Sequence, residues 1–473
     1  MAKIHEMNMT EGSLLKKLIS YAIPVMLSGM LQLLFNTVDV IVVGRFVGEE
    51  ALAAVGACGS TINLFIGLFM GLSVGANVLV SRFYGAKRYD DMNETMHTSL
   101  FLAVIFGVLV AGVGFMLARP VLSLMKTPEK DGVLDAAVLY LRIYVAGAPV
   151  ILLYNFGAAC LRAVGDTERP LLFLSIGGVA NVLLNLFFVL VVKIGVAGVA
   201  IGTVASNLLA GILVLRCLAR NNGSLRLRKA ELRIKKDKLF GILRIGLLSG
   251  LQGTMFSLSN MVVQSSINSF GHITMAGNTA ASNLEGFVHN AMNSMHQATL
   301  SFTAQNLGAK KYDRVWKALG LSLIMVTVIG LVLGNAAYLL SPWLLQLYTD
   351  SPAAIEKGIL RMQYLCMPYF MCGVMDVLVG ALRGLGASFI PMIVTLTGCC
   401  VFRLIWIATV FSKYHTLESL YLVYPISWSI TAITHFICFL IIFRRLRRHL
   451  TGLEQKKATV GHGKGKPLSA GKG

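Results

Sequence analysis

Five side chains stand out in this sequence because of where they lie. Asp39, Glu285 and Asp376 each interrupt a long apolar run, and Asn181 and Asn185 interrupt another, four residues apart. A carboxylate inside an apolar segment is costly unless it is paired or has a task. It can bind a proton or a Na+ ion, so its charge can change as the ion comes and goes. Residues four apart share one face of a helix. The Asn181 and Asn185 carbonyls can therefore act together, coordinating Na+ or bonding a protonated carboxyl, or they can simply tie two helices with a hydrogen bond worth about 1 kcal/mol. Thr203 offers one more oxygen. These four, Asp39, Asn181, Asn185 and Thr203, form a candidate cation-binding set. The alternative for Asp39 is a place at the outer interface, paired with Arg45.

The second half of the chain carries its own acids. Glu285 falls roughly ten residues into its run, about 15 Å at helical rise and so near the middle of a bilayer; Asp376 lies at similar depth. With Arg403 they make a candidate site for a proton, a cation or a cationic substrate, or else a buried pair with Arg403 or a neighbouring Lys. Arg403 can neutralise either acid or gate a cavity. His289 and His296 titrate near neutral pH when unperturbed, or serve as satisfied core residues.

Other chemistry finds little footing. The eight cysteines form no CxxC pair and no His/Cys cluster, which points to free thiols with no disulfide framework and no zinc site. There is no GxxxxGK[ST] loop for a nucleotide phosphate and no dinucleotide fingerprint. No nucleophile–base constellation suggests an enzyme. No cofactor is expected beyond a coupling H+ or Na+, and no metal beyond a possible Na+ at Asp39.

The segments that must hold these residues are apolar and long. The chain has 473 residues, 56% of them hydrophobic and only 14% charged, against about 25% charged in soluble domains. Runs such as 171–192 match the roughly 20 residues that cross a bilayer core. Without water, the backbone there must bond to itself as helix. Spans are expected at 14–43, 52–80, 97–118, 136–161, 170–192, 197–219, 239–269, 275–304, 319–340, 358–384, 390–411 and 420–443: an all-α membrane protein of about twelve transmembrane helices. The first run is too long for a cleaved signal peptide. Pro24, Pro149 and Pro368 mark expected kinks or hinges.

The net charge of +20 is an orientation signal. Most of the Lys and Arg lie after even-numbered spans and at the two ends: Arg82, Lys87 and Arg88; Arg162 and Arg169; the stretch 216–238; Lys310, Lys311, Arg314 and Lys317; and Arg444 to Arg448. Loops of this kind stay cytoplasmic, so both termini are expected inside, in a multi-pass cell (inner or plasma) membrane protein that does not bind nucleic acid. The Gly/Lys-rich tail, 446–473, is expected to be disordered and cytoplasmic.

The chain also repeats itself. Gly85–Asp91 reads GAKRYDD and Gly308–Arg314 reads GAKKYDR, 223 residues apart. Leu161-Arg162-Ala163-Val164-Gly165 corresponds to Leu382-Arg383-Gly384-Leu385-Gly386, and Pro149 to Pro368. Two six-helix halves follow, 1–220 and 239–445, joined by a basic cytoplasmic linker, 221–238. Each half has an even number of spans, so a pseudo-two-fold axis along the membrane normal should relate them, with cargo bound between them.

With these segments in hand, the chain resembles the multidrug and toxic compound extrusion (MATE) family over almost its whole length. The residues that carry the likeness are Leu34-Phe35-Asn36-Thr37-Val38-Asp39, Val43-Gly44-Arg45, Gly85-Ala86-Lys87, Leu161–Thr167 and Leu382–Gly386. The resemblance implies two six-helix lobes and export of small cationic or amphipathic organic compounds against an inward flow of H+ or Na+, with Asp39 in the cation site. Many family members carry an acid where this chain has Asn185. Others use acids on helices seven and ten; helix seven here has none. A monomer suffices for such a mechanism. The competing readings are a lipid-linked precursor flippase, which the mid-membrane acids disfavour, and a channel or receptor without coupled transport.

Overall fold

A computed structural model describes residues 5–125, 127, 132–221, 223–228 and 231–462; for 49, 60 and 449–462 only the backbone is described. Among the described residues there is no strand. The helices are α1 (Leu14–Phe46), α2 (Glu49–Gly85), α3 (Tyr89–Leu124), α4 (Val133–Ala146 and Ala148–Ala163), α5 (Glu168–Leu186, continued by the π-turn Phe187–Val191) and α6 (Gly195–Arg220). The second half supplies α7 (Lys236–Asn268), α8 (His272–Gly308), α9 (Tyr312–Leu339), α10 (Pro352–Cys366 and Phe370–Gly384), α11 (from Phe389 to Tyr414) and α12 (Leu417–Tyr421 and Val423–His462).

Nine of these helices are long and apolar enough to cross a membrane, and α4 and α10 qualify as bent pairs. The remaining one, α8, runs for 37 residues but carries Asn278, Glu285, His289, Asn293, His296, Ser301, Gln305 and Asn306. Its hydropathy is too low for lipid. It is nevertheless enclosed, packing against α1, α2, α9 and α10, so its polar groups meet protein instead of lipid. It completes the twelve.

Sequence symmetry reappears as local geometry. The two halves of α4 meet at 45° beside Pro149, and those of α10 at 46° around Pro368; proline cannot donate the helix bond there. Both α5 and α11 contain π-turns, at Phe187–Val191 and at Ile407–Phe411, where an extra residue per turn unwinds the helix locally. Lys87 and Lys310, in the repeated GAK turns, both take a left-handed backbone with φ of 57° and 59°. Pro24, by contrast, lies inside the unbroken helix α1.

Each lobe has its own apolar core. Val43, Phe69, Met96, Tyr144, Phe156 and Val199 belong to the first. Met292, Val326, Tyr369, Leu382, Tyr421 and Phe439 belong to the second. The lobes meet through α1, α2, α7 and α8, and they meet most closely at the basic face. A Cβ on Gly85 would lie 1.9 Å from the Gln305 carbonyl oxygen, and one on Gly308 would lie 2.0 Å from that of Arg82. Farther along α2, Gly56 and Gly59 border a cavity within the first lobe, and nothing from a neighbouring helix comes within 4 Å of a Cβ placed on either.

Two expectations change. Several helices extend past the expected spans at the basic face, α2 to Gly85 and α8 to Gly308. The tail expected to be disordered from 446 is helical to His462, because Glu454, Gln455, Lys456, Lys457 and Ala458 are good helix formers; residues 463–473 lie outside the described residues.

The symmetric glycine contact makes a prediction. Gly85→Val and Gly308→Val should each destabilise the protein, by about 1–3 kcal/mol from overpacking, read as a lowered melting temperature in detergent. Gly112→Ala and Gly320→Ala, where a Cβ meets open space, should leave the melting temperature unchanged or slightly raised.

Candidate functional site

In the first lobe the four residues singled out from the sequence meet. Asn185 Nδ2 donates to Asp39 Oδ1 at 2.6 Å and lies 3.4 Å from Asn181 Oδ1; Asn181 Nδ2 in turn donates to Thr203 Oγ1 at 3.3 Å. Thr203 gives its own proton to the Val199 carbonyl at 3.0 Å. The chain thus links α1, α5 and α6. Asn185 is fully buried, and its Oδ1 has no hydrogen-bond donor among the described residues. Gly202 leaves room for that oxygen: a Cβ there would sit 2.1 Å from it. An unpaired buried acceptor beside a carboxylate is costly by itself, and it is the arrangement a bound cation would satisfy.

Asp39 also borders a cavity of about 410 Å³ between α1, α2, α4 and α6, walled by Tyr140, Tyr144, Tyr154, Phe69, Asn36 and Asn207. Aromatic walls with a few polar groups suit an amphipathic organic cation. Among the described residues no ion pair joins Asp39 to Arg45, so the interface-pairing alternative fails. Gln32 and Asn36, which line the same cavity, were missed from sequence. Their signal was the spacing Gln32, Asn36, Asp39 along one helix face.

The second lobe departs from expectation. Glu285, Asp376 and Arg403 do not form one site. Glu285 is held by Arg361: Nε donates to Oε1 at 2.8 Å and Nη2 to Oε2 at 2.7 Å. The third arm of the guanidinium donates to Asn278 Oδ1 at 2.6 Å, and the rings of Tyr421 and Tyr424 lie 5.9 Å from it. A two-pronged bond of this kind, with both partners buried, is a structural clamp between α8 and the first half of α10. The partner expected from sequence, Arg403, instead points to α7 and α12. It donates to Asn260 Oδ1 at 2.8 Å and Ser427 Oγ at 3.3 Å, between the rings of Phe256 and Tyr424.

Asp376 lies in a different cavity, of about 200 Å³, with His289, Cys372, Gln252 and Arg383. The ligand atoms of His289, Cys372 and Asp376 lie within 4.8 Å of one another, a His/Cys grouping the sequence spacing did not reveal. Arg383, buried and donating to Gln252 Oε1 at 2.9 Å, brings a positive charge to the same cavity and opposes a divalent ion there. His296 is a satisfied core residue, its Nδ1 bonded to the Asp376 carbonyl at 2.6 Å.

The model of the family described as MatE matches residues 24–187 and 249–408. The chain is similar to a "Probable multidrug resistance protein YoeA" of Bacillus subtilis (strain 168), 26% identical over 425 residues that cover 87% of this chain and 90% of that one. It is also similar to a "FAD transporter" of Shewanella oneidensis, 23% identical over 343 residues, 72% and 75% of the two chains. Among solved structures, "Outward-facing conformation of a multidrug resistance MATE family transporter of the MOP superfamily" superposes with a TM-score of 0.87 at 23% identity, covering 95% of this chain and 100% of that one; this likeness concerns the fold.

The clamp makes a prediction about stability. Glu285→Ala strands a buried guanidinium and should destabilise by about 3–5 kcal/mol, seen as a large fall in melting temperature and folded yield. Asp39→Asn, which leaves no cation unpaired, should melt close to the unaltered protein.

Proposed function

Since the chain belongs to the MatE family of multidrug efflux transporters, we propose that it is a secondary active antiporter that exports cationic or amphipathic organic compounds in exchange for H+ or Na+. Its place is the cell membrane, with the basic face and both termini in the cytoplasm, and a monomer is the working unit. The observation that carries the reading is the Asp39–Asn185–Asn181–Thr203 chain beside the aromatic cavity of the first lobe. Among the described residues no cationic side chain is bonded to Asp39, so a proton or Na+ from outside is its natural partner.

The exchange follows from differential affinity. A ligand moves a conformational equilibrium only as far as it prefers one state. With the lobes parted on the outer side, the ion reaches Asp39 through the cavity and replaces the carboxylate's charge. The cavity then loses its attraction for an organic cation, which leaves outward. Rearrangement of α1, α5 and α6 around the neutralised group favours the state open to the cytoplasm, where the ion dissociates and cargo binds. Asn185 Oδ1 supplies the neutral oxygen that a Na+ or a protonated carboxyl needs. Asp376, which shares its cavity with Arg383, serves in this reading as a second, weaker anchor for cargo, and Glu285 as part of the clamp.

A second reading has its own support. Arg383 and Arg403 are buried cations to which no carboxylate is bonded among the described residues, and one relative carries the name "FAD transporter". Both features favour a cargo with an anionic group.

The test is ethidium accumulation in cells expressing the unaltered protein or Asp39→Asn at matched levels, with the H+ and Na+ gradients collapsed in turn. The unaltered protein should lower accumulation, one ionophore should abolish the effect, and Asp39→Asn should resemble empty cells. Asn185→Ala removes the free Oδ1 ligand and, with Na+ as the coupling ion, should raise its half-saturating concentration about tenfold, the loss of one bond to a charged group. Export by Asp39→Asn at the normal rate would remove Asp39 from the coupling site. Flavin export with no ethidium export would favour the second reading.

A further inference from the structure

The segment before α1 does more than lead into the membrane. Residues 5–7 bind the first lobe and the start of the linker that follows it. The His5 amide donates to Asp166 Oδ2 at 3.1 Å, and the Met7 amide to the Val164 carbonyl at 2.9 Å. Glu6 accepts from the Ser224 amide and hydroxyl at 3.0 and 2.8 Å, and from the Tyr84 hydroxyl at 3.3 Å. The hydrogen bonds that residues 9–12 make beyond the segment go to the second lobe. The Met9 amide donates to Gln305 Oε1 at 3.1 Å, and Asn306 Nδ2 donates to the Met9 carbonyl at 3.3 Å. Arg314 gathers the carbonyls of Met9, Glu11 and Gly12 at 3.0, 2.7 and 2.9 Å, while Lys311 takes that of Thr10 at 3.0 Å. The crossing between lobes falls at Asn8.

The crossing point is also sealed by packing. Met9 is fully buried, in a small cluster with Leu18, Tyr21, Ala298 and Phe302. Directly beside it Gln305 reaches from α8 to the Ala163 carbonyl of the first lobe at 2.7 Å. The segment therefore lies over the place where Gly85 and Gly308 bring α2 and α8 together.

We propose that residues 5–12 are a latch across the cytoplasmic ends of the two lobes, one that must release at either end before that face opens. The inference rests on the proposed orientation and alternation of the transporter, and it adds a control point separate from the ion site. The latch stabilises the state closed to the cytoplasm, because its bonds to the two lobes cannot all persist once the lobes part. It engages repeat-related elements asymmetrically: Arg314 and Lys311 belong to the GAKKYDR repeat, whereas the corresponding GAKRYDD repeat of the first lobe makes no bond to the segment among the described residues. One strand therefore serves one face, despite the two-fold design of the lobes.

The experiment is a distance measurement on the full chain in lipid nanodiscs, with spin labels at Asp90→Cys and Lys317→Cys, both exposed on that face, read by double electron–electron resonance. Glu6→Ala frees the first-lobe end, and Arg314→Ala frees the second-lobe end. Each single variant should raise the ratio of long to short distances about tenfold, as loss of two or three charge-assisted bonds implies, and the two together should add little more. Arg220→Ala, an equal loss of charge on an exposed residue of the same face, should leave the ratio unchanged. If neither variant changes the ratio, or Arg220→Ala raises it equally, the latch is wrong. The measurement needs no cargo, so it separates failure of the latch from failure of the antiporter reading.

Discussion

Contact between α2 and α8 at the basic face governs what the rest of the molecule can do. Each helix places a glycine against the other's backbone, Gly85 on Gln305 and Gly308 on Arg82. With no side chain between them, the backbones approach closely, and the lobes are pinned at this face. The polarity of α8 follows from this geometry: a helix at the centre of a two-lobed bundle sees protein on most sides. Ser301 can therefore join Tyr21 of α1 to Asn77 of α2, by bonds of 2.9 and 3.0 Å, without meeting lipid. Such bonds are each worth little in a membrane protein. That suits a seal that must open as well as close.

Duplication explains the scaffold and not the chemistry. The proline bends, the π-turns and the left-handed lysines recur in both halves at nearly the same offset. The intramembrane charges do not. In the first lobe Asp39 is bonded to an amide and borders a cavity. In the second, Glu285 is consumed by Arg361 and Asp376 shares its cavity with Arg383. A carboxylate already held by two charge-assisted bonds gains little from a further cation. One held by a single amide gains much. The difference in pairing is the physical reason to seek ion coupling in the first lobe, although both lobes carry acids at depth.

Much of the fold was legible because two signals are strong in a bilayer: apolar length and the placement of Lys and Arg. Helix α8 shows where apolar length alone stops working, since its span was found at 275–304 although its hydropathy falls short by the test that the other spans pass. The meeting of Asp39, Asn181, Asn185 and Thr203 was legible because two of them repeat at helical spacing, Asn181 with Asn185, and because an acid in an apolar run is conspicuous. The clamp was not legible. Arg361 lies near the edge of its expected span, at 358–384, where a cation looks like an interface residue. Only the bend at Pro368 carries the first half of α10 over α8. Pairing across helices depends on such angles, which no pattern along the chain encodes. The His289–Cys372–Asp376 grouping was hidden for the same reason, its members lying on two helices.

Asn185 poses the sharper question, because an acid there would seem the better cation ligand. Two carboxylates within one hydrogen bond of each other would repel when both are ionised, and one would hold a proton permanently or demand a second cation. The amide avoids this. It donates to Asp39 at 2.6 Å and leaves its own carbonyl free, so the site changes charge by one unit when a single monovalent ion binds. A one-charge step is cheaper to carry through a low-dielectric lobe than a two-charge step. In the proposed antiporter this amide would set the exchange at one ion for each turnover of the first-lobe site.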